Sequence, residues 1–326
     1  MSNELLLVLE EAAARWRKQA GELSCKFRGV GPTGGFCLDP AKKLSGDAGC
    51  MPVKLAARLG NLFYNKSVLD FGAGAGLYGR YFAKHAPTVR WVGVDGADNV
   101  EVATDGRVRF AELTDVLPSW IHAAAAGTPT SMSHAIASTR HASSTHASSS
   151  RQASFDWAMS LEVGEHVARS AEPRFMHNLV SSSREGIVLS WARLGQGGTD
   201  HVNCQSTAYV ACAMRLLGWA NDEPTQQRLR AAVGRHFHDC GWLRTSLQVF
   251  RPLAPWTTPA DCARASASGA GGGADDPALC PLPAAPTRRF IQAYHRATRS
   301  SCPHTVEGCN TTLFPYDMTG EQRAAR

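Results

Sequence analysis

Apolar residues along the chain follow two spacings, one typical of buried strands and one typical of amphipathic helices. Short apolar runs with few internal charges recur between residues 66 and 191, and they predict strands that are covered on both faces. These runs are KSVLDF (66–71), VRWVGVD (89–95), VRFAEL (108–113), FDWAMSLE (155–162) and GIVLSW (186–191). A last segment with strand-like alternation is WLRTSLQVFR (242–251).

Helical spacing occupies the stretches between these runs. A helix is predicted to begin near Pro52, because proline is favoured in a first helical turn, and to bury Leu55, Leu59 and Leu62. Further helices are predicted in GLYGRYFAKHA, RFMHNLV, STAYVACAMRLLGWA and QQRLRAAVGRHF. Alternating strands and helices predict an α/β fold, with a mainly parallel sheet and helices on both of its faces.

Composition divides the chain into three parts. Residues 1–50 hold an amphipathic helix over 4–19 and an irregular glycine-rich stretch, and we interpret them as a lid. Residues 51–254 carry the alternating pattern, interrupted at about 123–154 by a stretch of mostly Ala, Ser, Thr and His. Residues 255–326 form a low-complexity loop and a C-terminal tail. The low-complexity stretches bury too little apolar surface to offset the entropy of ordering, so we expect the 123–154 insertion to be disordered.

Charge and cysteine content limit the class of protein further. The net charge of +6 comes from scattered arginines, so an RNA partner is compatible with the sequence but is not indicated by it. No apolar run approaches the ~20 residues that a membrane-spanning helix needs, and the opening residues lack the basic region of a signal peptide. The ten cysteines form no C-x-x-C pair, and we expect free thiols and a cytoplasmic protein.

A glycine-rich turn after the first predicted strand is the main candidate for a cofactor site. In VLDFGAGAGLYG (68–79) the strand ends in Asp70, and Gly72, Gly74 and Gly76 alternate directly after it. Glycines let the backbone turn tightly into the next helix and approach a ligand without a Cβ atom in the way. The N–H groups at the start of that helix point at whatever the turn holds.

This turn fits two classes of cofactor. Gly74, Gly76 and Gly79 match the G-x-G-x-x-G fingerprint of dinucleotide-binding proteins, and Asp95 is placed to bind ribose hydroxyls in either class. The acid at Asp70 favours S-adenosylmethionine (SAM), because SAM carries a cationic sulfonium and an ammonium but no phosphate. A NAD-dependent oxidoreductase is the alternative at this point.

The same segment resembles motif I of class I SAM-dependent methyltransferases, in which a hydrophobic strand precedes D/E-x-G-x-G-x-G. GVDGADNV (93–100) resembles motif II, RFAELTDVLP (109–118) resembles the segment after strand three, and SLEVGEH (160–166) resembles motif IV. The resemblance implies a Rossmann-like fold with a seven-stranded, mainly parallel sheet. The cofactor-binding residues that it implies are Asp70, Gly72, Gly74, Gly76, Asp95, Glu112 (or Asp115) and Ser160.

Glu162, Glu165 and His166 stand at i, i+3 and i+4, a spacing that brings side chains to one side of a helical turn. Two carboxylates and an imidazole suit a divalent cation such as Mg²⁺ or Mn²⁺. The E-x-x-E-H string resembles motif IV of two metal-using O-methyltransferase groups, the ubiquinone-pathway type and the type that modifies the 3′-terminal ribose of small RNAs. The second group adds a histidine after strand five, and His201 is the candidate here. Without a metal, these side chains would cap the turn or contact the cofactor.

The expected activity is methyl transfer from SAM to a hydroxyl oxygen or a nitrogen of an acceptor that the sequence does not identify. The enzyme must align the acceptor and, for a hydroxyl, remove its proton, and His166 and Glu162 are the catalytic candidates. A bound cation would lower the pKa of the hydroxyl instead. The alternative from another class of protein is a non-catalytic scaffold that binds SAM without turnover.

Overall fold

The computed structural model contains the predicted strands and the helices between them. The structure describes residues 50–118, 155–198, 200–236, 240–253 and 285–303, with single positions at 12, 16, 19, 20, 23, 37, 38, 120, 121, 124, 282 and 283. Most of the predicted helix over 4–19, nearly all of the 123–154 insertion and the glycine-rich part of 255–326 lie outside the described residues.

Seven strands form a single sheet within the described part of the chain. They are β1 Ser67–Phe71, β2 Arg90–Asp95, β3 Val108–Phe110, β4 Phe155–Leu161, β5 Ser183–Ser190, β6 Trp219–Asn221 and β7 Gln248–Pro252. Their order is β3-β2-β1-β4-β5-β7-β6, in which β3 to β5 are parallel and β7 is antiparallel to both of its neighbours. From β1 the chain proceeds outward through β2 and β3 and then returns to β4 on the other side of β1. The carboxyl ends of β1 and β4 therefore open onto one crevice.

Helices cover both faces of this sheet. They are α1 Val53–Leu62, α2 Leu77–His85, α3 Val100–Ala103, α4 Glu172–Ser181, α5 Thr207–Leu216, α6 Glu223–Arg230, α7 Leu243–Ser246 and α8 Arg288–Ser301, with a 3₁₀ turn at Gly164–His166. One apolar cluster joins α4, α5 and α8 to the sheet, and a second joins α1, α2 and α6 to it. The predicted Rossmann-like α/β fold, with a seven-stranded, mainly parallel sheet between helices, is confirmed.

Two short elements at the antiparallel edge differ from the predicted ones. β6 lies at the end of the stretch predicted as the helix STAYVACAMRLLGWA, and α7 lies inside the predicted strand WLRTSLQVFR. Gly218 has a φ of 83°, a left-handed conformation that glycine adopts at low cost, and it separates α5 from β6. Trp219 is fully buried where β6 pairs with β7. The secondary structure at this edge of the sheet is therefore set by pairing with a strand that is distant in the sequence, and local periodicity does not reveal such pairing.

Helix α8 lies in the segment that the sequence analysis assigned to a loop and tail. The Thr287 hydroxyl caps it by accepting a hydrogen bond from the Phe290 N–H, and Phe290, Ala293 and Tyr294 are fully buried against the core. Their spacing of three and four residues is the helical signal that was missed. None of the described helices is long and apolar enough to cross a membrane.

The expectation of free thiols is wrong for the described cysteines. Cys50 pairs with Cys240 and Cys212 pairs with Cys302, at Cα–Cα distances of 5.8 and 5.5 Å. The other described cysteines, Cys37 and Cys204, are also disulfide-bonded. The two pairs are separated by 190 and 90 residues in the sequence, so only the tertiary structure brings them together.

Removing the Cys212–Cys302 bridge should destabilise the chain, because the bridge limits the entropy of the unfolded state and holds the end of α8. We expect the paired substitution Cys212→Ser and Cys302→Ser to lower the free energy of unfolding by about 2–4 kcal/mol, measured by urea titration. In the presence of dithiothreitol the difference should vanish. A difference that persists in the reductant would show that the serine side chains, and not the lost bridge, cause the effect.

Candidate functional site

The glycine turn joins β1 to α2 through three left-handed residues. Gly72, Gly74 and Gly76 have φ values of 75°, 52° and 68°. A Cβ atom on Gly72 would lie 2.3 Å from the Val163 side chain, so the turn packs closely against the segment after β4. A Cβ atom on Gly74 would meet no described atom within 4 Å, which leaves that side of the turn open to a ligand.

Asp95, the last residue of β2, lies beneath this turn. Its two carboxylate oxygens accept hydrogen bonds from the Gly74 and Ala97 N–H groups, each at 2.8 Å. Burial raises the pKa of Asp95, and these two hydrogen bonds oppose the rise. The carboxylate is therefore fixed in place, and each oxygen keeps a lone pair for a further donor.

Asp70, the residue before the last one of β1, lies beside the same turn and is only 4% exposed. Burial raises its pKa to about 7, a hydrogen bond from Trp91 lowers it, and the nearby charge of Asp95 raises it further. The Trp91 Nε1–H donates to Asp70 at 3.0 Å. The indole ring of Trp91 lies against Gly79, where a Cβ atom would come within 2.4 Å of it. Gly79 thus serves helix–strand packing.

Glu162 supplies a third carboxylate, half-buried, at this edge of the sheet. Its φ of 56° is uncommon for a residue with a side chain, and such strain is concentrated at functional sites. The carboxylate accepts hydrogen bonds from Gln196 Nε2 at 2.8 Å and from the Ser246 hydroxyl at 3.2 Å. Burial nevertheless raises its pKa. The buried Tyr78 hydroxyl has no hydrogen-bond partner among the described residues, and the charges of Asp70 and Glu162 add to burial in raising its pKa.

The two remaining predicted cofactor residues are engaged in local hydrogen bonds. Glu112, which follows β3, accepts from the backbone N–H and the hydroxyl of Thr114, at 3.0 and 2.6 Å. Ser160 is fully buried in β4 and donates to the carbonyl oxygen of Phe71 at 2.9 Å. Their roles toward a cofactor stay predictions.

Three of the four predicted metal ligands lie together. One ligand atom each from Glu165, His166 and His201 lies within 4.8 Å of the others, and the two imidazole rings are 4.9 Å apart. The structure does not bring Glu162 into this cluster, because its carboxylate is held by Gln196 and Ser246. The backbone N–H groups of Val202 and Asn203 donate to the Glu165 carbonyl at 2.8 and 2.9 Å and hold the two segments together.

Glu165 is the most unusual residue of this cluster. It is fully buried, and neither carboxylate oxygen accepts a hydrogen bond from the described residues. Burial, together with the charge of Glu162, raises its pKa well above the ordinary value, and the nearby N–H groups of Glu165 and Ala192 only oppose this. Burying an ionised carboxylate without hydrogen bonds is costly, and a positive group or a donor beside Glu165 would reduce that cost.

Both histidines of the cluster point one ring nitrogen at a backbone carbonyl. His166 Nδ1 lies 3.2 Å from the Asp200 oxygen, and His201 Nδ1 lies 3.3 Å from the Gln196 oxygen. These contacts favour a proton on Nδ1 and leave Nε2 as the acceptor, and His201 Nε2 is 4.0 Å from Glu165. Burial lowers the pKa of His166 to about 4 and that of His201 as well. Both rings are therefore neutral at pH 7.

Several residues at this edge were missed by the sequence analysis. Tyr78, Ser246 and Asn203 belong to elements whose neighbours the sequence pattern does not show. Gln196 was also missed, and it lies in a glycine-rich loop with Gly195, Gly197 and Gly198. That loop lies against His201, since a Cβ atom on Gly198 would be 2.1 Å from its Nε2.

Comparison with known proteins gives distant structural similarity. No family model and no curated protein matches this chain. A similar solved structure is the Burkholderia thailandensis 1,6-didemethyltoxoflavin-N1-methyltransferase, with 14% identity, a TM-score of 0.41, and 75% of this chain and 90% of that chain covered. A second is the pyocyanin biosynthetic protein PhzM, with 12% identity, a TM-score of 0.37, and 62% of this chain and 54% of that chain covered. A third is Haemonchus contortus phosphoethanolamine N-methyltransferase 2, with 12% identity, a TM-score of 0.35, and 62% of this chain and 52% of that chain covered. This chain spans about half the length of these last two.

The raised pKa of Asp70 predicts how stability depends on pH. The folded chain holds a proton up to about pH 7 that the unfolded chain releases near pH 4, so stability falls as the pH rises between these values. Asp70→Asn removes this dependence. In urea titrations of the ligand-free chain, the stability of the wild type relative to Asp70→Asn should fall by up to ~4 kcal/mol between pH 4 and pH 8. Parallel stability curves would contradict a raised pKa for Asp70.

Proposed function

We propose that this chain is a SAM-dependent methyltransferase. The observation that carries the proposal is the set of buried and half-buried carboxylates around the glycine turn. Asp70, Asp95 and Glu162 all have raised pKa values, and among the described residues the only positive charge that opposes this is that of Arg193, acting on Glu162. A ligand with a sulfonium and an ammonium group relieves this repulsion, whereas the pyrophosphate of a dinucleotide increases it.

Asp95 suits the ribose end of such a cofactor. The N–H groups of Gly74 and Ala97 hold its carboxylate in place. The remaining lone pairs of its oxygens can accept hydrogen bonds from two adjacent hydroxyls. The open space beside Gly74 provides room for the bound molecule. SAM supplies an electrophilic methyl group when bound, and the residues of this chain align the acceptor with it.

We further propose that Glu165, His166 and His201 bind a divalent cation such as Mg²⁺ or Mn²⁺. The donor set fits, because no side chain of the described residues donates a hydrogen bond to the Glu165 carboxylate, and a backbone carbonyl orients Nδ1 of each imidazole. A cation here would supply Lewis-acid activation of an acceptor hydroxyl. With its carboxylate bonded to Gln196 and Ser246, Glu162 is assigned to the cofactor side of the site.

The two alternatives differ from this proposal in measurable ways. A NAD-dependent oxidoreductase would place a pyrophosphate among the three carboxylates, at an electrostatic cost. A non-catalytic scaffold would bind SAM but would have no use for an unpartnered carboxylate at Glu165, whose burial destabilises the fold. In the absence of a cation, His166 would act only as the base for an acceptor hydroxyl.

Calorimetry with SAM and with NAD tests the proposed cofactor. The wild-type chain should bind SAM with a micromolar or lower dissociation constant, about −8 kcal/mol, and NAD should not bind. Asp95→Ala should weaken SAM binding about a hundredfold, because two charge-assisted hydrogen bonds are lost. Glu185→Ala, at the amino end of β5 and thus at the opposite edge of the sheet, should leave the affinity unchanged. Binding of NAD without binding of SAM would overturn the proposal.

Titration with Mn²⁺, followed by electron paramagnetic resonance, tests the cation site without an acceptor. The wild-type chain should bind one Mn²⁺, and Glu165→Gln and His201→Ala should each weaken this binding at least tenfold, because each removes a ligand. His85→Ala, at the exposed end of α2, is the matched control and should bind Mn²⁺ normally. Equal affinity in all four proteins would eliminate the cation site, and His166 would then be retained only as a base.

A further inference from the structure

A buried hydrogen-bond network connects helix α8 to the segment that carries His201. Its centre is Glu172 at the start of α4, which is completely inaccessible to solvent. The Tyr294 hydroxyl of α8 and the Tyr209 hydroxyl of α5 both donate to the same carboxylate oxygen of Glu172, at 2.8 and 2.5 Å. One carboxylate therefore ties three helices together.

The second oxygen of the Glu172 carboxylate faces the candidate site. It accepts a hydrogen bond from Asn203 Nδ2 at 2.9 Å and forms an ion pair with Arg169 at 3.1 Å. The Arg169 guanidinium also lies over the ring of Tyr209, 4.5 Å from its centre. With four donors, the Glu172 carboxylate is held in a single orientation.

Asn203 connects the Glu172 carboxylate to the cluster of Glu165, His166 and His201. Its backbone N–H donates to the Glu165 carbonyl at 2.9 Å, and its own carbonyl accepts from the Trp191 indole N–H. His201 precedes it by two residues. The side-chain contact between Asn203 and Glu172 thus adds to the backbone hydrogen bonds that hold the His201 segment beside Glu165.

Helix α8 is itself fixed at its far end. Cys302, directly after the helix, is bonded to Cys212 of α5, and Phe290 is buried near the start of the helix. The Tyr294 hydroxyl therefore contacts Glu172 from a helix, α8, whose position is fixed at both ends.

We propose that Tyr294 is a positioning residue for the cluster of Glu165, His166 and His201, acting through Glu172 and Asn203. Without its hydroxyl, one oxygen of Glu172 keeps only Tyr209, so the carboxylate is held less firmly and the hydrogen bond from Asn203 to its other oxygen, which Arg169 also contacts, is weakened. The His201 segment then separates from Glu165. The inference rests on the proposed function only in assuming that this cluster binds the divalent cation.

Tyr294→Phe in the full chain, with its disulfides intact, tests the proposal by amide hydrogen exchange. The N–H groups of Val202 and Asn203 should exchange about tenfold faster, because their bonds to Glu165 open more often. The N–H groups of Gly74 and Ala97, at the other end of the site, should keep their wild-type rates. Tyr64→Phe, which changes an exposed tyrosine, should alter none of the four rates.

A double-mutant cycle separates positioning from general stabilisation. Asn203→Ala should weaken Mn²⁺ binding about tenfold, as Tyr294→Phe should, and adding Tyr294→Phe to Asn203→Ala should cause little further loss. The dissociation constant for SAM should stay within twofold of the wild-type value. Effects that multiply in the double variant, or exchange rates that rise together at all four amides, would overturn the proposal.

The same measurements keep the two proposals distinct. If the wild-type chain binds no Mn²⁺, the proposed cation site fails, and the exchange rates at Val202 and Asn203 alone decide the role of Tyr294. If Mn²⁺ binds and Tyr294→Phe leaves both its affinity and these rates unchanged, the positioning role fails while the proposed site stands.

Discussion

The burial of carboxylates at the carboxyl edge of the sheet is the constraint on which this structure depends. Removing an ionised carboxylate from water is costly unless donors or positive charges replace the lost hydration. Asp70, Glu165 and Glu172 are buried at or near this edge, Asp95 and Glu162 are half-buried there, and hydrogen bonds and charges around the five offset this cost to very different extents. Those differences separate carboxylates whose oxygens are fully hydrogen-bonded within the fold from carboxylates whose oxygens still lack donors.

Glu172 and Glu165 show the contrast most clearly. Both are fully buried, and the two are linked through Asn203. Glu172 is saturated by two hydroxyls, an amide and a guanidinium, so it acts as a structural joint between helices. Glu165 receives no hydrogen bond from the described residues and faces two neutral imidazoles. A saturated carboxylate next to an unsaturated one is the arrangement expected where a rigid support holds a binding site.

The glycine turn and the acids beside it could be predicted from the sequence, because the backbone conformations that they require are local. Gly72, Gly74 and Gly76 each adopt a backbone conformation that glycine adopts at the lowest cost, and Asp70 and Asp95 lie at the carboxyl ends of the strands beside them. The E-x-x-E-H string brought Glu165 and His166 onto one turn for the same local reason. Glu162 departs from the predicted set because its backbone adopts a positive φ and its carboxylate meets Gln196 and Ser246 from other segments. No spacing within 160–166 contains that information.

The sequence by itself determined the alternation of strands and helices, the mainly parallel sheet and the turn at its carboxyl edge, because periodicity and glycine placement act over a few residues. The tertiary structure decided everything that depends on contact between distant segments. It paired β6 with β7, docked α8 on the core, joined Cys212 to Cys302 and gave Glu172 its four donors. These features follow from the free energy of burying apolar and charged groups together, and that energy is fixed only when the whole chain has folded.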